Sequence, residues 1–117
     1  MMTKLLNEVS DLVEKEYDRA ASQHGPTFNS AHEGYAVIKE ELDEEHAELI
    51  LSEVHIDRYW KAVKGNNAND QHENLVHIYT RSILSACEAI QTAAMAHKAL
   101  VTMETQAQKN DKGGNSI

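Results

Sequence analysis

Cysteine, proline and aromatic residues are scarce in this 117-residue chain, with one Cys, one Pro and aromatics at 5 %. A lone thiol, Cys87, excludes an intrachain disulfide and suits a reducing compartment. No apolar run approaches the roughly 18 residues that mark a membrane span, and the N-terminus lacks the apolar stretch of a signal peptide. A soluble, cytoplasmic protein with no membrane partner is the expectation. Positive charge is also short. Lys and Arg total 11 against 19 Asp and Glu, a net charge of −8. Such a surface repels phosphate backbones, which argues against a duplex nucleic-acid partner. A nucleotide could still be held where a cation supplies the positive charge.

Helix formers fill the space. Ala, Glu, Leu, Lys and Gln abound, and five Gly with one Pro leave few interruptions. The composition predicts a single all-α domain over residues 1–108 and a disordered tail over 109–117 (KNDKGGNSI). Leu5, Val9, Leu12, Val13, Tyr17 and Ala20 predict an amphipathic helix over 3–22, ended by Gly25-Pro26. Ser30-Ala31-His32-Glu33 reads as a capping box that opens a second helix from about residue 31. This helix runs to about Lys64 and stops at Gly65-Asn66-Asn67. Its apolar stripe is Tyr35, Ile38, Leu42, Leu49, Ile56, Trp60 and Val63.

A third helix, capped by Asn69 or Asp70, runs to about Ala107. Its stripe passes through Val76, Tyr79, Ile83, Ala86, Ile90, Ala93, His97 and Val101. The short connection predicts that the two long helices are antiparallel neighbours in a bundle, with the shorter N-terminal helix beside them. Three such helices cannot cover one another's apolar faces, so a homodimer or homotetramer is expected.

Six of the nine residues from Glu40 to Glu48 are carboxylates: Glu40, Glu41, Asp43, Glu44, Glu45 and Glu48. Like charges at i,i+4 on a helix repel by a few tenths of a kcal/mol per pair. Carboxylates at i and i+3 project from one side and can share a hard cation such as Mg²⁺. The run equally suits a solvated acidic face, and spacing alone does not choose. Helix register supplies a partner. At 1.5 Å per residue, Glu44 lies about 30 Å before the end of the second helix and Glu88 about 27 Å after the start of the third. The two therefore stand at nearly the same height. Glu88 falls almost opposite the Val76-to-Val101 stripe, sharing a face with Arg81, Leu84, Gln91 and Met95. On that reading it meets the acidic run only if a second layer of helices closes over it.

Glu40-Glu41-Leu42-Asp43-Glu44, followed by Glu88-Ala89-Ile90-Gln91, resembles the paired Glu-Glu-x-x-Glu and Glu-x-x-Asp motifs of the MazG-like all-α nucleoside triphosphate pyrophosphohydrolases. The segments HEGYAVIKEELDE (His32 to Glu44) and EAIQTAAMAHKAL (Glu88 to Leu100) also resemble short chains of that group from phages and bacteria. The likeness covers roughly residues 28–100. It implies Mg²⁺ held by Glu41, Glu44 and Glu88. It implies cleavage between the α and β phosphates of a nucleoside triphosphate, giving a monophosphate and pyrophosphate, with Glu40 or Glu45 orienting the attacking water. Lys39, Arg81, Gln91 and Lys98 are the candidate nucleotide contacts. Gln91 stands where the family carries Asp, which removes one negative charge from the site. It opens an alternative: a non-catalytic protein that binds or sequesters nucleotides on the same scaffold, for example in a phage–host conflict.

Other signals are weaker. No Glu-x-x-His occurs, so a ferritin-like di-iron site lacks its signature. Glu73 and His77 stand at i,i+4, a spacing that chance often supplies. His32 and His46 flank the acidic run as further candidate substrate contacts. His97 falls on the apolar stripe and reads as a core histidine, and Cys87 as a small buried apolar residue. Trp60 and Tyr59 read as packing or dimer anchors.

Overall fold

Helix-forming composition with few breakers gives three helices and, among the described residues, no strand: α1 (Met2–His24), α2 (Ala31–Lys64) and α3 (Ala68–Asn115). This computed structural model describes residues 2–115, with side chains through Asn110. No described helix is long and apolar enough to cross a membrane.

Local chemistry sets the helix ends. At the start of α2 the Glu33 amide donates to Ser30 Oγ at 3.1 Å, and the Glu33 carboxylate accepts from the Asn29 amide at 3.3 Å and its Nδ2 at 3.0 Å. Two orphan donors are thus satisfied in one turn. At the end of α2, Asn66 takes a left-handed conformation (φ 52°). The Asn66 amide then donates to the Val63 carbonyl at 3.2 Å and the Asn67 amide to that of Ala62 at 2.9 Å, which is the Schellman pattern. The α3 cap is Asn67, not Asn69 or Asp70. Its Oδ1 accepts from the Asp70 amide and its Nδ2 donates to the Asp70 carboxylate, both at 3.0 Å.

The expected span of α2 matches, while α3 extends past Ala107 to Asn115. Residues 107–112 (AQKNDK) hold no Pro or Gly to stop it. Helical backbone therefore covers most of the segment expected as a tail, and Ser116 and Ile117 lie outside the described residues.

The chain divides into two compact units, residues 1–40 with 90–117, and residues 41–89. In the first, Ala20, Phe28 and Ala94 are buried. The loop after α1 is tied down rather than loose. Tyr17 Oη donates to the Pro26 carbonyl at 2.9 Å, and the Phe28 amide donates to Thr102 Oγ1 at 2.9 Å. Thr102 in turn donates to the Lys98 carbonyl at 2.7 Å. Gly34 lets the Phe28 ring lie close, since a Cβ there would come within 3.2 Å of Phe28 Cδ2. Lys98 is only 5 % exposed, with its ammonium 4.5 Å from the Phe28 ring centroid. It is not the solvated charge its sequence type suggests. His97, expected in the core, is exposed and meets Tyr17 edge-on at 4.6 Å between centroids.

The second unit inverts the expected pattern. The sheltered positions of α2 are Glu41, Glu45, Glu48, Ser52, His55, Tyr59 and Ala62, spaced alternately by four and three, together with Val63, the one half-buried member of the expected stripe in this segment. Those of α3 are Gln71, Asn74, His77, Ile78, Arg81, Ser85 and Glu88. The contacts join these two sets. Gln71 Nε2 donates to the Ala62 carbonyl at 3.3 Å, His55 Nδ1 lies 3.1 Å from Asn74 Oδ1, and Arg81 donates to Glu48 at 3.2 Å. The stripes expected as core face outward: Leu42, Leu49, Ile56, Val76 and Ile83 are exposed, with Trp60 58 % and Tyr79 71 % exposed. Two helices share one seam, and here polar partners fill it. Cys87, expected to be buried, is exposed as well.

Candidate functional site

The polar seam brings the acidic run and Glu88 together within residues 41–89. Glu41 and Glu44 sit at i,i+3 on α2, and Glu88 lies one heptad after Arg81 on the sheltered face of α3. Each of Glu41, Glu44 and Glu88 offers a carboxylate oxygen, and these oxygens lie within 4.8 Å of one another. A second layer of helices is not needed for this meeting. The expectation failed because it assumed that the Val76 stripe packs on α2, whereas the Arg81–Glu88 face does.

Electrostatics record the crowding. Glu88 is held above the usual carboxylate range, first by desolvation, then by the charge of Glu44 and a hydrogen bond with it, then by the charges of Glu48 and Glu45. Glu41 and Glu88 are half-buried and Glu44 is exposed, so water reaches the cluster. Three hard oxygen donors with room for water suit a hard divalent cation, and their chemistry fits Mg²⁺ better than a soft metal.

Glu45 is sheltered on the same face and adds to the repulsion on Glu88. Arg81 is engaged by Glu48 in a half-buried ion pair. Lys39, Glu40, Gln91 and Lys98 belong to the other compact unit. There Lys39 and Glu40 are exposed, Gln91 is half-buried with interactions of its own, and Lys98 lies against Phe28. His32 and His46 are exposed.

Sequence reasoning missed the histidine cluster at the far end of the seam. His55 bonds Asn74, and its ring stacks on His77 with centroids 4.3 Å apart. The signal was available: His55 continues the heptad spacing of Glu41, Glu45, Glu48 and Ser52. The chain matches no protein-family model, no curated protein and no solved structure.

Proposed function

We propose that this chain is a Mg²⁺-dependent nucleotide pyrophosphohydrolase of the MazG-like kind, cytoplasmic, and working as an oligomer built on an antiparallel α2–α3 hairpin. The observation that carries the reading is the meeting of Glu41, Glu44 and Glu88 within 4.8 Å. These are the positions to which the family's two motifs point. Bound there, Mg²⁺ would supply the positive charge that polarises the α and β phosphates of a nucleotide. Glu41 and Glu44 hold from one helix and Glu88 from the other. The raised proton affinity of Glu88 would compete with the cation, so binding should weaken as pH falls. Glu45, sheltered on the same face, is the acceptor that orients the attacking water. Arg81 is held by Glu48 about 10 Å along α3 from Glu88, a cation in reach of an extended phosphate chain.

Contact order supports the hairpin. Late α2 meets early α3 (Ala62 with Gln71), and the middles meet (Glu48 with Arg81). The outward stripes support the oligomer, because each large apolar side chain gains about 1.5–3 kcal/mol on full burial.

Gln91 favours a second reading, a protein that binds a nucleotide without cleaving it. A panel of nucleotides with Mg²⁺, assayed for pyrophosphate release with calorimetry in parallel, decides between them. Turnover that Glu44→Gln abolishes supports the hydrolase. Tight binding without turnover supports the second reading, and the absence of both turnover and binding removes both.

A further inference from the structure

Where α2 nears its end and α3 begins, residues of the 41–89 unit line an open cavity of about 510 Å³. His55, Arg58 and Lys61 line it from α2; Asp70, Glu73 and His77 line it from α3. His55 is only 8 % exposed, and Asn74 fixes its tautomer. Asn74 Nδ2 donates to the Asp70 carbonyl at 2.9 Å. A carbonyl only accepts, so the amide oxygen must face His55, and Nδ1 must carry the proton in that 3.1 Å bond. The neutral ring therefore presents a lone pair at Nε2. Among the described residues no buried side-chain nitrogen or oxygen lacks a partner. His55 lines the cavity, and Nε2 is the ring nitrogen that the bond to Asn74 leaves over for a ligand there. His77 stacks on the same ring at 4.3 Å and 11° between planes.

Charge decides what the cavity can take. With both rings neutral, the two cations Arg58 and Lys61 stand against the two carboxylates Asp70 and Glu73, and the balance is zero. Protonating both rings turns it to +2 and converts the Nε2 lone pair of His55 into a donor. It also sets two like charges 4.3 Å apart, a repulsion that an anion relieves. The Asp70 carboxylate accepts from Asn67 Nδ2 at 3.0 Å and keeps its charge, so Asp70 and Glu73 both oppose an anion.

We propose that this cavity is a proton-gated binding site for a tetrahedral oxyanion of the phosphate class, held by Arg58, Lys61 and the protonated His55–His77 pair. The site is separate from the carboxylate cluster and does not rest on the function proposed above.

Sulfate is the probe of choice, since its charge is constant across the range in which histidines titrate. Its affinity for the full chain is measured by calorimetry at constant ionic strength, at about pH 5.5 and about pH 8, while NMR follows the ring protons of His55 and His77. Sulfate should bind at least about tenfold more tightly at the lower pH and should raise the titration midpoint of the ring signals. Inorganic phosphate should compete. Arg58→Gln with Lys61→Gln should weaken binding by about tenfold or more, and His77→Asn should flatten its pH dependence. Glu73→Gln, a surface change that leaves the histidine pair intact, should tighten binding at both pH values. Equal affinity at the two pH values, or affinity indifferent to both Glu73→Gln and the Arg58/Lys61 double substitution, overturns the proposal.

Discussion

Glu44 on α2 and Glu88 on α3 compete for negative charge. Desolvation raises the proton affinity of Glu88, and the charge of Glu44 and its hydrogen bond raise it further. A carboxyl whose folded pKa lies above its unfolded value stabilises the fold below the unfolded value. That contribution is lost as pH climbs through the folded value. For Glu88 the window opens near its ordinary 4.5 and extends upward. Glu88→Gln should therefore melt higher than wild type at neutral pH, and the gain should shrink as pH falls through that window. Thermal melts of the two proteins across pH check this. Glu16, held low by its hydrogen bond to Arg19, has the opposite sign but is common to both and cancels in the difference.

The outward stripes of the 41–89 unit make a second prediction. Leu49 and Ile83 are both exposed in one chain. If a second copy covers them, Leu49→Glu or Ile83→Glu should shift sedimentation toward a smaller species and lower the melting temperature. In an isolated chain an exposed apolar residue accepts a charge within about 0.5 kcal/mol. A wild-type monomer at micromolar concentration, or no shift in either variant, contradicts the oligomer.

In the other unit, Thr102 accepts from the buried Phe28 amide. Thr102→Val keeps the shape and deletes the acceptor. It should cost about 1–3 kcal/mol, the penalty of a buried donor without a partner. Thr102→Ser should recover most of that loss in denaturant melts.

The α2–α3 turn separates backbone from side-chain effects. Asn67→Ala removes the α3 cap and should cost about 1 kcal/mol. Asn66→Gly should be neutral or mildly stabilising, because the left-handed φ of 52° favours glycine. Urea melts of both variants check the order.

The start and stop of α2 were legible because caps are local, whereas the cap and the end of α3 were misplaced. Ser30 with Glu33, and Gly65 through Asn67, carry their own hydrogen-bond chemistry. That Glu44 and Glu88 stand at one height was legible from register, since rise per residue is fixed. Which faces meet was not. An apolar stripe such as Leu42–Leu49–Ile56 announces burial somewhere but not against what, and a polar heptad such as Glu48–Ser52–His55 looks like a wet surface until its partners are known. Arg81 for Glu48 and Asn74 for His55 come from the other helix, beyond any local pattern. Lys98 misled for the same reason, because the Phe28 ring that shelters it lies far away in sequence.

A Mg²⁺ titration of melting temperature tests the shared-cation site most directly, comparing wild type, Glu44→Gln, Gln91→Asp and the control Glu53→Gln. Glu53 is an exposed α2 residue outside the cluster. A cation held by Glu41, Glu44 and Glu88 should raise the wild-type melting temperature in a saturable way by mass action. Glu53→Gln should respond like wild type, Glu44→Gln should lose most of the response, and Gln91→Asp should respond at lower Mg²⁺. Equal responses from all four proteins would mean an acidic face screened by salt. That result would contradict the shared site and with it the hydrolase.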